Sequence, residues 1–223
     1  SLGFPATESG VEIKILKELF SEADAEMFLA LSPVLENPES VAERISHPVA
    51  SVEEKLEDMA RRKLLFRLKK GDTIKYGAIP FVHGLFEFHT TEMSQTLAEL
   101  MEQYYQEGFK QTMVDNAENF LRTIPIQKSI DVTQHVAAFD DACEILKNTK
   151  KIVVTECTCR KQKTLLDKSC GKPLEVCFMF GAMGQYYIDN KMGREINADE
   201  AIEILKKCHA EGLVTQPATA QNP

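Results

Sequence analysis

Four of the chain's six cysteines, Cys157, Cys159, Cys170 and Cys177, fall within 21 residues in the spacing C-x-C-x10-C-x6-C. This segment limits the fold more than any other, because the local structure must either gather four sulfurs or hold them apart. The apolar run Ile152-Val153-Val154 leads into it and reads as a strand. The cysteines therefore leave the carboxyl end of a strand, where open sheets carry their ligands. From Lys147 to Lys172 eight basic residues (Lys147, Lys150, Lys151, Arg160, Lys161, Lys163, Lys168, Lys172) stand against Glu156 and Asp167, a local charge of +6 in a chain of net charge -8. Nearby positive charge favours the thiolate, the form that ligates metals or attacks disulfides. Cys157, Cys159, Cys170 and Cys177 are thus candidate ligands of a metal or iron–sulfur cluster, with Arg160 and Lys161 or Lys163 offsetting the thiolate charge. The spacing is neither the doubled CxxC of a zinc ribbon nor the C-x2-C-x2-C-x3-C of a bacterial ferredoxin. Buried or redox-active thiols are the alternative. Cys143 and Cys208 lie on inward faces of helical patterns and read as core.

The remaining bounds come from composition. At 223 residues and 43% hydrophobic content the chain has material for a real core in one large domain or two ordinary ones. No apolar run approaches the roughly 18–20 residues that cross a membrane, and Ser1-Leu2-Gly3 opens no signal peptide. A soluble, cytoplasmic protein without a membrane partner is expected. The clustering of the cysteines, unlike a spread disulfide framework, fits a reducing compartment.

Taken in order, Val11–Phe20 carries Val11, Ile15, Leu16 and Leu19 on one helical stripe, and Ser21 caps a second helix. Ser40 is placed to cap a short helix ending before His47-Pro48, and Ser51 with Glu54 forms a capping box for the next. Leu64–Leu68, the turn Lys69-Lys70-Gly71-Asp72 and Thr73–Ala78 read as a β-hairpin. This is the order of a winged helix-turn-helix over residues 1–90. Its charge argues against DNA: residues 1–90 hold 11 basic and 15 acidic groups, and phosphate neutralisation supplies most DNA affinity. His83 and His89 have no carboxylate or cysteine at ligand spacing and read as packing residues.

Residues 91–223 read as a helical, then α/β, cysteine-containing domain, giving an α+β chain overall. The expected elements are helices from Thr91 to Gly108, Met113 to Leu121 and Phe139 to Leu146, a strand from Ile124 towards Ile130, the strand at Ile152, and a last helix capped by Asn197 and ended by Gly212. The segment Phe178–Tyr187 is apolar enough to wall off water, and Gly181 and Gly184 are placed to bring backbone N–H groups towards sulfur.

The order of a winged-helix start, V-x-E-C-x-C-R around Cys157, two further cysteines, and G-R-E-I-N-A-D-E-A-I-E-I-L-K-K-C-H-A-E-G-L-V from Gly193 resembles the N-terminal portion of the 4Fe-4S ferredoxin-type iron–sulfur proteins of anaerobic bacteria and archaea. The resemblance implies an electron-transfer module holding an iron–sulfur cluster, 4Fe-4S in type. It implies as partners a redox protein or a ferredoxin-like domain that this chain would lack through truncation. No Ser/His/Asp set, HExxH, phosphate-binding glycine loop or GxGxxG is present, so a carrier or oxidoreductase subunit is expected over a stand-alone enzyme. Structural zinc on the same four thiolates, a redox-responsive winged-helix regulator and a thiol–disulfide enzyme using Cys157 with Cys159 are the rival readings.

Overall fold

Helical periodicity gives way twice to strands, and the chain divides accordingly into two compact units, Ser1–Thr112 and Met113–Pro223. The structure, a computed structural model, describes residues 4–32, 34–115 and 142–216. Both units mix helix and sheet, so the chain is α+β.

The first unit starts with α1 (Val11–Leu19) and α2 (Glu22–Ala30). Ser21 caps α2 through a complete capping box: its hydroxyl accepts from the Asp24 N–H at 3.2 Å, and the Asp24 carboxylate accepts from the Ser21 N–H at 2.9 Å. Next come α3 (Pro38–Ile45) and α4 (Val49–Arg61). Both begin earlier than the hydroxyl signals indicate. Asn37, with its side chain 3.0 Å from the Ser40 N–H, caps α3 in place of Ser40. Pro48 precedes α4, so Ser51 lies inside the first turn. In each case proline supplies a preset φ at or beside the first helical position and outweighs a later hydroxyl.

The expected hairpin is present as β1 (Phe66–Lys70) antiparallel to β2 (Thr73–Gly77), with Phe66 opposite Gly77 and Lys70 opposite Thr73. Gly71, at φ 60°, opens its two-residue turn, a position that asks for glycine. A single β-bridge joins at Glu36, which exchanges two backbone hydrogen bonds with Tyr76 at 3.0 and 2.8 Å. The long helix expected from Thr91 to Gly108 is shorter: α5 (Gln95–Tyr104) is capped by Ser94, and a wider turn, Tyr105–Phe109, interrupts the ladder before Lys110–Asp115. Leu97, Met101 and Tyr104 are buried as their spacing requires. Because α5 packs on α1, it belongs to the first unit, which runs past the expected boundary near residue 90.

In the second unit the expected strand near Ile124, most of the helix from Met113 and the start of the helix from Phe139 lie outside the described residues. From there the order is α6 (Ala142–Lys147), β3 (Ile152–Glu156), α7 (Thr158–Leu165), β4 (Glu175–Phe180), α8 (Gly181–Asp189), β5 (Arg194–Ile196) and α9 (Ala198–Ala210). The sheet order is β4-β3-β5, with β3 antiparallel to both neighbours. The central strand is buried on both faces, as its unbroken apolar run demands. Ile152 and Val154 face a core built with Leu146, Ile202 and Leu205 from α6 and α9. On the other side α8 closes in at Gly184, where a Cβ would stand 3.1 Å from both the Val153 side chain and the Met179 carbonyl. That glycine therefore serves helix–strand packing. Asn197 caps α9, and Gly212 at φ 76° ends it as expected.

Candidate functional site

Three of the four cysteines singled out by spacing come together where β3 ends and α7 begins. Cys157 is the N-cap residue of α7. Its N–H donates to the Leu174 carbonyl at 2.7 Å and its carbonyl accepts from Lys161 N–H at 2.9 Å, so its backbone is fixed on both sides. Cys159 follows in the first turn, and Cys177 reaches in from β4. The register between the strands shifts at this point: Thr155 faces Cys177 but Glu156 faces Glu175, leaving Val176 as the extra residue of a bulge. Bulges re-aim side chains next to functional sites. Here the bulge falls at the start of β4, beside Cys177.

The electrostatics follow from that geometry. The side chains of Cys159 and Cys177 both hydrogen-bond the Cys157 sulfur, and this holds the Cys157 thiol far below its ordinary range. Burial opposes that fall, and the Arg160 N–H and guanidinium add to it. Cys177 moves the opposite way, pushed up first by donating to Cys157 and then by burial. The trio thus meets at the amino end of a helix, whose partial positive charge also favours the anion at Cys157.

The outer parts differ from expectation. Cys170 is exposed on the segment between α7 and β4, beside Gly171 at φ 69°, and is not among the sulfurs meeting at Cys157. Among the described residues no three Cys, His, Asp or Glu side chains close into a metal-ligating group. The four sulfurs expected to converge are accordingly three, joined through Cys157. The basic surroundings are also less basic than the sequence count: Lys161 pairs with Glu156 at 3.1 Å, Lys172 with Glu211 at 3.4 Å and Lys151 with Glu195 at 3.1 Å. Arg160 is the cation that acts on Cys157, while its guanidinium donates to the Pro173 carbonyl at 2.8 Å. It thereby ties α7 to the segment carrying Cys170. Lys163, on the same helix, is half-buried, and no shift of the cluster traces to it. Cys143 and Cys208 are buried, at 8% and 7% exposure, as expected for core thiols, and burial raises the Cys208 thiol. His89 is buried with Nδ1 2.8 Å from the Leu85 carbonyl, a packing role as expected.

Sequence reasoning missed the bulge and the acids. Glu211 and Glu195 are 39 and 44 residues from their lysines, so a windowed charge count passes over them. Glu156 alone was visible, adjacent to Cys157.

No family model, curated protein or solved structure matches this chain.

Proposed function

We propose that the second unit holds an iron–sulfur cluster on Cys157, Cys159 and Cys177, with Cys170 completing the set, and that the chain passes electrons to a partner protein. The observation that carries the reading is the meeting of Cys159 and Cys177 at the Cys157 sulfur. Gathering thiolates raises the cost of each next one, so such a cluster suits a cation or an iron–sulfur group at its centre. The donor types suit that group, being sulfurs at a helix amino end beside one guanidinium, and loading would have to draw the sulfurs closer, since no three described ligand side chains already close into a metal-ligating group. When bound, the cluster supplies one-electron transfer. The chain's own residues hold its sulfur ligands, exclude water with the buried β3 side, and leave Cys159 and Cys170 exposed as the edge nearest a partner.

For the first unit we propose a winged helix used for structure or partner docking, with α2, α3 and α4 as its helices and β1–β2 as the wing. The cations on and just after α4, with Arg67 on β1, are already paired within the unit. Lys55 and Arg62 hold Asp24, Arg61 pairs with Asp58, Lys63 with Glu92 and Arg67 with Glu57. Lys69, Lys70 and Lys75 on the hairpin are exposed, too few for strong duplex affinity. Among the described residues no helix is long and apolar enough to cross a membrane. Six free cysteines suit the reducing cytoplasm.

Anaerobic reconstitution with iron and sulfide, followed by metal, sulfide and visible-spectrum analysis, tests the function. Similar amounts of iron and acid-labile sulfide with a broad band bleached by dithionite are expected. Stoichiometric zinc with no colour overturns electron transfer and leaves a structural zinc site.

A further inference from the structure

The first unit carries a second feature, independent of the thiols. Between α1, α2 and the segment Ile79–Leu85 lies a groove of about 530 Å³, within the roughly 300–1,000 Å³ typical of small-molecule sites. Its floor is finished core: Ile79, Phe81 and Leu85 are 9%, 8% and 5% exposed. The fold therefore needs nothing more packed beneath it. Its walls, by contrast, leave apolar surface to water, with Leu29 at 83% and Ile13 at 48% exposure.

Two aromatic pairs line it. Phe4 lies against Phe81 with ring centroids 4.8 Å apart, and Phe20 meets Phe28 edge-on at 5.4 Å and 78°. Rings favour offset or edge contacts with a further ring at such distances. The polar lining is Lys17, Glu22 and Ser21. The Ser21 hydroxyl already donates to Asp24 at 2.7 Å, and the two charges at the rim are of opposite sign. Nothing there favours an ion over a neutral guest, and burying an unpaired charge among phenyl rings is costly.

We propose that this groove binds an uncharged, ring-containing apolar small molecule. N-phenyl-1-naphthylamine, which is uncharged and has two ring systems, is the probe. Titrated into the full chain, its fluorescence should rise and saturate at one site, and it should bind several-fold tighter than the anionic 1-anilinonaphthalene-8-sulfonate. Ala25 lines the groove and is exposed, so Ala25→Phe should fill it and abolish saturable binding while leaving the melting temperature near that of the parent. Ala23→Phe makes the same change off the groove and should leave binding intact. If Ala25→Phe does not fold, Leu29→Glu, at a position largely in water, must weaken binding instead. Non-saturable binding, equal losses in both phenylalanine variants, or tighter binding of the anionic dye overturns the proposal. So does a dimer in sedimentation that Ala25→Phe disperses, since a second copy would then be the occupant.

Discussion

Asp24 in the first unit and Cys157 in the second each stand at the centre of a cluster of side chains, and the two clusters are built on opposite terms. In the first, Asp24, 1% exposed, accepts from Lys55 at 2.7 Å, from Arg62 at 2.5 and 2.9 Å, and from Ser21. Partners of opposite charge on α4 neutralise a carboxylate on α2, and nothing in the arrangement calls for another atom. In the second, Cys157 is held by Cys159 and Cys177 with Arg160 beside it. A cluster completed by complementary charge is a fastening. A cluster of like donors is, on the proposed reading, one that a bound cation or iron–sulfur group would complete.

The sharpest way to break this contrast is to remove a sulfur. Cys177→Ala should eliminate iron and sulfide uptake, because Cys177 is the one thiol of the trio supplied by β4, while circular dichroism stays near that of the parent. Retained full loading in Cys177→Ala would reduce the thiol cluster to packing. Asp24→Ala should act the other way round, leaving loading unchanged and costing about 3 kcal/mol in denaturant unfolding. That is the low end for breaking a buried ion pair, because Lys55 and Arg62, at 29% and 40% exposure, can turn to water.

The Asp24 contribution should also follow pH with a definite sign. Its carboxyl is held well below its ordinary value, first by Arg62 and with help from Lys55 and Ser21. Stability from this group is present above its unfolded value near ~4 and is lost as pH falls through the lowered folded value. Unfolding midpoints of Asp24→Asn should therefore fall less steeply below about pH 4 than those of the parent. Equal slopes would show that the ion-paired form does not persist in solution.

A smaller effect is expected at Tyr76, whose hydroxyl donates to Glu57 at 2.6 Å beneath the hairpin. Tyr76→Phe leaves Glu57 still held by Arg67 at 2.8 Å, so a loss of about 1 kcal/mol is expected in denaturant unfolding. Smallest of all, Cys208→Ala should leave iron content unchanged, since that thiol lies in the α9 core. A proportionate fall in iron would make Cys208 a ligand.

How much of this was legible in sequence differs between the units for physical reasons. Periodicity located α1 and α9 because one apolar face of each is buried, the capping serine located α2, an unbroken apolar run located β3, and Gly71 and Gly212 marked turns that need left-handed backbone. Helix starts were misplaced where proline and hydroxyl signals competed, as at Asn37 and Pro48. Spacing found all three converging cysteines, because β3 ends at Cys157 and the chain returns antiparallel through Cys177. It also brought in Cys170, since spacing records chain length and not the direction in which a loop residue faces. The basic field around the thiols was overcounted because its neutralising acids sit on β5 and after α9. The groove left no linear signal, its walls being drawn from segments as far apart as Phe4 and Leu85.

The central claim is that Cys157, Cys159 and Cys177 share one bound group. Residue-resolved alkylation of the anaerobically loaded chain, read by mass spectrometry against the metal-free chain, tests it directly. The account predicts that these three cysteines are protected together on loading, and that protection is lost together when a chelator strips the metal. Alkylation of Cys159 and Cys177 at the same rates with and without iron would contradict it.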